Sequence, residues 1–334
     1  MKIHAVLVYS LPLVTFLTQA TANHLCSPQA SHAYSAGNAD IPIRVFALDF
    51  DGTATTLESK DVDQFVYQAT LQYQNSDKAE KEAMAKRWDK LIEDKSVRLS
   101  NIIKNTLRRL KNSPNRITAG NIFILRKTIA EIDNALQHIL KLKEVQYVLK
   151  GITMEGIKEI AITKAQLCPR LIETLQHFRN NPPNIISAGL SKSFAEFVFQ
   201  KYNAPPNLII HAGEFEFKNG VSTGKIMGQL TAFDKEKVMA QLIKQHQKTN
   251  GYSIYVGNDF PDILAMLKAD IGIAINYTPL FIRFVHAIGI ATQSVGDWRG
   301  ACSNQEYLIY TAQSWNEIKE MMFGNLEHAR KLEK

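Results

Sequence analysis

The chain has 334 residues and a mass of 37.6 kDa, enough for one large or two ordinary globular domains. With 45% apolar residues, 21% charged residues, 17 glycines and 11 prolines, it is neither disordered, collagen-like nor a disulfide-stapled miniprotein. The net charge of +7 is modest and dispersed, which suits solubility or attraction of anionic ligands and gives no indication of nucleic-acid binding. Three cysteines allow one disulfide at most.

The first 22 residues have the pattern of a secretory signal peptide. Lys2 provides a positive start, residues 5–17 are apolar, and residues 20–22, Ala-Thr-Ala, supply a small-x-small cleavage site. The apolar stretch is shorter than the roughly 20 residues of a spanning helix and contains Pro12. We therefore expect export to a periplasm or out of the cell, without a stable membrane anchor after cleavage. Residues 23–40 are expected to form a mobile mature N-terminus.

A buried strand is predicted directly after this N-terminus. Residues 44–50 form an apolar run that ends in Asp-Phe-Asp-Gly-Thr, which is typical of a parallel strand leading into a tight loop. Alternation along the strand places Asp49 and Asp51 on one side, and Gly52 allows a sharp turn. Two adjacent carboxylates repel unless a cation or proton lies between them, so the pair predicts bound Mg²⁺. The simpler alternative is that both acids only cap the next helix.

Long helical periods replace the strand pattern from residue 61 to residue 178. We interpret this segment, in which we find no strand signal, as an inserted all-helical cap domain, called the cap below. Thr153 is well placed to begin a helix that continues to about Lys164. The aromatic cap residues, which either fill the cap core or face a substrate, are Tyr67, Tyr73, Trp88 and Tyr147.

An alternation of strands and helices returns after the cap. Asn219-Gly220 indicates a hairpin between residues 208–217 and 221–227. The remaining predicted elements are strand 184–188, helix 192–202, helix 235–247, strand 253–256, helix 261–267, strand 271–275, helix 280–288, strand 307–311 and a last helix from Ser314.

The order of these elements predicts an α/β fold with a doubly wound parallel sheet and a ligand crevice at the carboxyl ends of the strands. Residues 41–60 and 179–325 form its core in this interpretation. Residues 326–334 form a charged C-terminal tail.

The run Asp49-Phe-Asp-Gly-Thr53 after an apolar strand resembles the first motif of the haloacid dehalogenase superfamily of phosphotransferases, and the resemblance covers residues 43–324. It implies a C1-type helical cap, with Asp49 as the nucleophile that becomes an aspartyl phosphate. Asp51 is implied as general acid and then general base, and its backbone carbonyl as a ligand of Mg²⁺. Such chemistry splits hydrolysis into two displacements, and the metal neutralises charge between carboxylate and phosphate.

The second and third motifs of the superfamily bind phosphate. Ser187 fits the second motif, in which its hydroxyl and the backbone N–H groups of Ala188 and Gly189 hold phosphate oxygens. The third motif is a lysine at the start of a helix. Lys235 fits best, because apolar residues three, four and seven positions later place it in the first turn, and Lys237 is the alternative.

The fourth motif departs from the superfamily pattern. It is normally Gly-Asp-x-x-x-Asp, whereas this chain has Gly-Asn-Asp-Phe-Pro-Asp over residues 257–262. Asn258 stands where the first Asp is usual, and Asp259 comes one residue late. Either the loop bulges so that Asp259 reaches the metal, or Asn258 coordinates through its side-chain carbonyl. Asp262 matches the second, supporting acid.

Segments outside the motifs resemble the phosphatase domain of plant thiamine monophosphate phosphatases, namely residues 148–158, 269–274, 297–300 and 310–318. Residues 187–191 are more similar to pyrimidine 5′-nucleotidases. The resemblance implies a Mg²⁺-dependent hydrolase of small phosphomonoesters, with thiamine monophosphate as the first candidate substrate, and the signal-peptide pattern adds the expectation that it is exported. The alternatives are a pyrimidine 5′-nucleotidase and a secreted binding or effector protein whose turnover is weakened by Asn258.

Overall fold

The computed structural model describes residues 42–57, 62–73, 77–110, 119–178, 181–298 and 307–324. The predicted signal peptide, the mature N-terminus, the C-terminal tail, Cys26 and Cys302 lie outside the described residues. The third cysteine, Cys168, is buried, and its Sγ donates to the carbonyl of Thr55. No helix within the described ranges combines the length and the apolar character needed to cross a membrane.

Ten strands are described. They are β1 (Ile43–Leu48), β2 (Lys150–Thr153), β3 (Asn184–Ile186), β4 (Ile209–His211), β5 (Glu214–Lys218), β6 (Val221–Met227), β7 (Tyr252–Gly257), β8 (Ile271–Ile275), β9 (Ala291–Ser294) and β10 (Leu308–Ala312). Seven of them form one parallel sheet in the order β4-β3-β1-β7-β8-β10-β9.

Eleven α-helices are described. They are α1 (Val62–Tyr73), α2 (Lys78–Leu110), α3 (Ala119–Leu140), α4 (Lys143–Val148), α5 (Met154–Lys164), α6 (Leu171–Leu175), α7 (Lys192–Lys201), α8 (Ala232–Gln245), α9 (Ile263–Lys268), α10 (Pro279–Ile288) and α11 (Trp315–Phe323). A short 3₁₀ turn, Phe260–Asp262, precedes α9.

Both faces of the seven-stranded sheet are covered by helices, as the apolar character of β1 predicts. Phe46 and Leu48 face a core that includes residues of α5, α6, α7 and α11. Val45 and Ala47 face a second core that includes residues of α8, α9 and α10. The predicted α/β fold with a doubly wound parallel sheet is therefore confirmed.

The structure differs from the all-helical cap prediction at β2. This strand pairs antiparallel with β6, which also pairs with β5, to make a separate three-stranded sheet. A four-residue strand whose partner lies far along the chain leaves little periodic signal. The helix expected after it is α5, and Thr153 caps it as predicted, with the Thr153 hydroxyl accepting from the backbone N–H of Gly156 at 3.1 Å.

The long cap helices α2 and α3 pack against each other and against the core. Polar contacts from α3 reach two core helices. Asn121 donates to the last backbone carbonyl of α10 at 2.9 Å, and Arg126 makes two 2.9 Å bonds to Glu236 of α8. Asp133 accepts from the first backbone N–H of α8 at 3.1 Å. These contacts hold the cap above the carboxyl edge of the sheet.

Candidate active site

The candidate residues follow neighbouring strands of the parallel sheet. Asp49 comes directly after β1, Ser187 directly after β3, and Asn258 and Asp259 directly after β7. Because β3, β1 and β7 are adjacent and parallel, their carboxyl ends meet at one edge. All four residues line a single cavity at this edge, together with Lys235 of α8.

A buried ion pair lies at the floor of this cavity. Lys235 Nζ is 2.6 Å from Asp49 Oδ1 and 2.8 Å from Asp262 Oδ1. The side chains of Lys235, Asp49 and Asp262 are only 2%, 9% and 1% exposed, so solvent does little to screen the charges. One lysine is thus shared between two carboxylates, and the remaining negative charge must be balanced by another cation or by a proton.

Asp262 organises the fourth-motif loop. Its Oδ1 accepts the hydroxyl of Tyr255 at 2.8 Å in addition to Lys235. Its Oδ2 accepts the backbone N–H groups of Asn258 at 3.0 Å and Asp259 at 3.2 Å. Asp262 therefore links the loop that carries the candidate metal ligands to the lysine that contacts Asp49.

The pKa values of Asp49 and Lys235 reflect this charge imbalance. Desolvation, with repulsion from Asp262, raises the pKa of Asp49 to about 7, although Lys235 opposes the shift. Desolvation alone would lower the pKa of Lys235, but attraction by Asp262 and Asp49 outweighs it and the net shift is upward. Lys235 therefore stays charged, and Asp49 needs a further positive group to be fully ionised at neutral pH.

The start of α8 places Lys235 on the inside and Lys237 on the outside. Thr231 and Asp234 form a capping box, in which the Thr231 hydroxyl accepts from the N–H of Asp234 at 3.1 Å and Asp234 accepts from the N–H of Thr231 at 3.0 Å. This fixes the helical phase, so that Lys235 is 1% exposed whereas Lys237 is solvent-exposed.

The loop after Asp49 is held from several sides. Gly52 has a φ of +72°, and a Cβ there would lie 2.3 Å from Nδ2 of Asn258, so both the turn and the close approach require glycine. Thr53 Oγ1 donates to Asn258 Oδ1 at 3.3 Å. Asn276 donates to the carbonyl of Gly52 at 3.0 Å, and Trp315 Nε1 donates to that of Thr53 at 2.9 Å.

The Ser187 loop is arranged differently from the sequence-based prediction. The backbone N–H of Gly189 donates to Ser187 Oγ at 3.0 Å, so that N–H is used inside the loop rather than directed at a phosphate. The carbonyl of Ala188 accepts from Gln229 Nε2 at 3.4 Å. Ser187 is 3% exposed and lines the cavity. Because its oxygen accepts from Gly189, the hydroxyl hydrogen remains available for donation to a phosphate oxygen.

The residues at the cavity floor fit a magnesium ion. Among the described residues, no group of three or more His, Cys, Asp or Glu side chains forms a ready metal cage, but Mg²⁺ binds through one or two carboxylates, water and substrate phosphate. Oxygen donors from Asp49, Asp51, Asn258 and Asp259 line the cavity. Asp259 is reached by solvent from within the cavity, yet desolvation beneath the cap, with repulsion from Asp262, raises the pKa of Asp259 to about 6. A divalent cation would balance the excess negative charge of these carboxylates.

The cavity has a volume of about 830 Å³. Its floor is the polar cluster described above, and its roof consists of residues from α2 and α3. The roof residues are Trp88, Leu91, Ile92, Lys95, Ser96, Leu99, Ser100, Ile103, Ile132, Asp133, Leu136, Gln137, Ile139 and Leu140. The roof is largely apolar, which suits the organic part of a small ligand.

The candidate cap aromatics have different positions. Trp88 lines the cavity and stacks on Tyr67, with ring centroids 5.8 Å apart. Tyr147 is 47% exposed, and its hydroxyl donates to Glu80 at 2.7 Å, away from the cavity lining. The side chain of Tyr73 lies outside the described atoms.

Several site residues are not apparent from the sequence. Tyr255, Asn276, Trp315 and Asp133 contact the site or line its cavity, but none belongs to a motif. Asn276 follows β8, the strand beside β7, so its position after an apolar strand was the one available signal. The other three depend on tertiary contacts that a single sequence does not reveal.

No family model matches the chain. The chain is 27% identical over 137 residues to the bifunctional TH2 protein, mitochondrial, of Arabidopsis thaliana. The match covers 34% of this chain and 22% of that relative, so the chain corresponds to a small part of the plant protein.

Solved structures with a similar fold include a phospho-aspartyl intermediate analogue of phosphoserine phosphatase, with a TM-score of 0.47, 14% identity, and coverage of 84% of this chain and 99% of that one. A had family hydrolase from Salmonella enterica has a TM-score of 0.49 and 13% identity, covering 85% and 72%. A cytosolic 5′-nucleotidase IIIB bound to cytidine has a TM-score of 0.41 and 15% identity, covering 86% of each chain.

Proposed function

We propose that this protein is a Mg²⁺-dependent phosphomonoesterase that acts through an aspartyl phosphate on Asp49. The observation that carries the proposal is the floor of the cavity. There the predicted nucleophile is 2.6 Å from a buried lysine, and the predicted acid–base Asp51 lines the same wall. A nucleophile, a charge-stabilising cation and a proton carrier below a roof of cap residues are the parts that this reaction needs.

The reaction then proceeds in two displacements. A carboxylate oxygen of Asp49 forms a bond to phosphorus, the bond to the ester oxygen breaks, and Asp51 donates its proton to that leaving oxygen. Asp51 next removes a proton from water, whose oxygen attacks phosphorus and releases inorganic phosphate and the free Asp49 carboxylate. Lys235 and the Ser187 hydroxyl hold phosphate oxygens throughout.

Magnesium would be held by Asp49, the backbone carbonyl of Asp51 and the fourth-motif loop, and it would neutralise charge so that an anionic carboxylate can approach an anionic phosphate. The cap lies over the cavity, where it would surround the leaving group and limit the access of water to it. Thiamine monophosphate is the first candidate substrate, supported by the local similarity to the plant TH2 protein. A pyrimidine nucleotide is the second candidate, since it has comparable size and one phosphate.

The proposal is tested by phosphate release from purified residues 23–334. The substrates are thiamine monophosphate, pyrimidine and purine nucleotides, sugar phosphates and 4-nitrophenyl phosphate, each with Mg²⁺ and with a chelator. We expect metal-dependent release that is abolished by Asp49→Asn. Lys235→Ala should lower kcat by about two orders of magnitude or more, because it removes a buried charge that touches the nucleophile.

Lys237→Ala is the matched control, since this lysine lies two residues away on the same helix and points to solvent. It should leave phosphate release unchanged. Full activity of Asp49→Asn would refute the mechanism. Binding of a phosphomonoester without any release by the unmodified protein would instead support the alternative of a binding protein weakened at Asn258.

We also propose that the protein is exported and cleaved after residue 22. The support is the sequence pattern of residues 1–22 alone. Mass spectrometry of the protein from its natural source should give Asn23 as the first residue. An intact Met1 would contradict export through a cleaved signal peptide.

A further inference from the structure

The roof of the cavity contains a buried carboxylate that the proposed hydrolysis does not use. Asp133 of α3 is 7% exposed and lines the cavity. Its Oδ1 accepts the backbone N–H of Ala232 at 3.1 Å. Its Oδ2 is buried and has no hydrogen-bond partner among the described residues. A buried carboxylate oxygen without a donor is costly, so the site is built to receive one.

The charge of Asp133 is also poorly balanced. Asp234 repels it, and the attracting cation, Lys235, is already bonded to Asp49 and Asp262. Desolvation raises the pKa of Asp133, and the N–H groups at the start of α8 offset this only in part. A hydroxyl from a ligand would satisfy Oδ2 but leave the charge unbalanced. A nitrogen that carries hydrogen and positive charge would satisfy both needs.

The rest of the roof indicates the character of the group that the cavity receives. Trp88 is 3% exposed and lines the cavity from α2, and its Nε1–H is a second buried polar group without a partner among the described residues. The other roof residues are mainly leucine and isoleucine. A largely apolar cavity with a few polar groups at its wall suits a flat heterocycle whose edge carries polar atoms.

We propose that Asp133 selects the leaving group by accepting a hydrogen bond at Oδ2 from an amino group or protonated nitrogen. The substrate class is therefore phosphomonoesters of alcohols that bear a nitrogen heterocycle, rather than simple sugar phosphates. This inference rests on the proposed function, because the phosphate end of the same cavity supplies the reaction. It adds a specificity residue on the cap that belongs to none of the four motifs.

The test compares esters in which an exocyclic amino group is replaced by a carbonyl, a change that also puts a hydrogen on the adjacent ring nitrogen. Thiamine monophosphate is paired with oxythiamine monophosphate, and cytidine monophosphate with uridine monophosphate, so that an amino group is exchanged for a carbonyl. The wild-type protein should favour the amino member of at least one pair by about tenfold in kcat/KM, since a site built for a donor rejects an analogue that lacks it. Equal kcat/KM values within both pairs would overturn the proposal without any variant.

Asp133→Asn gives the sharper outcome. Its amide oxygen can still accept from Ala232, which places an amide N–H₂ where Oδ2 was, so the preference should shift toward the carbonyl member. Because the readout is a ratio within a pair, a general loss of activity or stability cancels. Glu131→Gln removes one carboxylate from the same helix outside the cavity lining and should leave the ratio at its wild-type value. A wild-type ratio in Asp133→Asn would show that Asp133 only anchors the cap to α8.

Failure of the proposed function is distinguishable from failure of this inference. If the wild-type protein releases phosphate from no ester, calorimetry with the alcohols thiamine and oxythiamine still reports on Asp133. Tighter binding of thiamine that is lost in Asp133→Asn would support the amine site in the absence of catalysis. Equal binding of the two alcohols by the wild-type protein would overturn it.

Discussion

Asn258 is the residue at which the fourth motif departs from the pattern of the superfamily that the chain resembles, and its contacts indicate how the site tolerates the change. Its Oδ1 accepts from Thr53, and its Nδ2 lies against the backbone of Gly52. The side chain is therefore fastened to the loop that follows the nucleophile. The adjacent carboxylate of Asp259 lines the cavity, which favours Asp259 as the charged metal ligand from this loop.

Asn258→Asp is expected to tighten magnesium binding. The substitution keeps the acceptor for Thr53 and replaces the amide nitrogen with a charged oxygen beside the metal donors. The Mg²⁺ concentration that gives half-maximal phosphate release should fall by roughly three- to tenfold, because an added carboxylate strengthens the attraction of a divalent cation in a poorly solvated site. A magnesium titration of activity measures this.

Asn276→Asp is the control for that titration. It makes the same chemical change on the other side of Gly52, where the side-chain nitrogen donates to the Gly52 carbonyl. Losing that donor should lower kcat without lowering the magnesium requirement. An unchanged magnesium requirement in Asn258→Asp would mean that position 258 does not face the metal.

The sequence predicts the charged residues of the site better than their supports. Asp49 and Ser187 follow recognisable apolar strands, and Lys235 follows from helical phase. Tyr255 is found only when its strand is placed opposite the Asp262 loop. Asp133 is found only when α3 is placed over α8. Residues that act through contacts between distant segments leave no local pattern, which is why the support of the site required the structure.

At the scale of elements, the junction between cap and core depends on a close backbone contact. Gly224 of β6 has a φ of +87°, and a Cβ there would lie 1.9 Å from the carbonyl oxygen of Gln146 in α4. Next to it, Ser222 Oγ donates to the carbonyl of Leu149 and accepts from the N–H of Gly224. Strand β6 thus joins the cap helix α4 through backbone groups that leave no room for a side chain.

Gly224→Ala should therefore destabilise the fold strongly. The methyl group clashes with a backbone carbonyl, and the positive φ is unfavourable as well, so we expect a loss of at least about 3 kcal/mol in the free energy of unfolding. Gly220→Ala is the matched control, because Gly220 has a φ of +81° but no atom within 4 Å of an added Cβ. It should cost only about 1–2 kcal/mol. Equal losses in urea denaturation would show that the contact with α4 does not contribute.

The edge of the sheet beside Ser187 should respond to pH through His211 of β4. Desolvation, with repulsion from Lys192, lowers the pKa of His211 below its usual 6.5. The unfolded chain therefore binds a proton at His211 that the folded chain does not, so this histidine lowers stability as pH falls below about 6.5. Its stabilising contribution is complete above that pH.

Urea denaturation at about pH 7 and about pH 5 tests this expectation. His211→Asn, which keeps a polar partner for Asn184, should lose less stability on acidification than the wild-type protein. His138→Asn removes an exposed histidine of α3. This variant should lose as much stability on acidification as the wild-type protein. Identical pH dependence in the wild type and His211→Asn would contradict the assignment.

At the scale of the whole molecule, the sequence predicts the architecture because the sheet is built from strands that are apolar on both faces. Strand β8 has the bounds that were predicted, and the hairpin at Asn219-Gly220 forms between β5 and β6, with positive φ at both turn residues. The predicted strand 208–217 is divided into β4 and β5, which lie in different sheets. The sequence does not predict β2 or β9, because both have four residues and lack a buried apolar run, so only their partners define them.

The same molecule concentrates negative charge where the proposed function requires a cation, and this should reduce its stability without metal. Asp49 and Asp262 share one lysine and Asp259 lines the same cavity, so metal-free protein carries unbalanced carboxylates. Mg²⁺ should raise the thermal midpoint, with a gain of about 2.7 kcal/mol in the free energy of unfolding at a hundredfold excess over its Kd.

Asp259→Asn should raise the thermal midpoint of the metal-free protein and reduce the gain from Mg²⁺. Asp94→Asn, an exposed change on α2, should keep the wild-type gain. A full gain in Asp259→Asn would place the metal elsewhere.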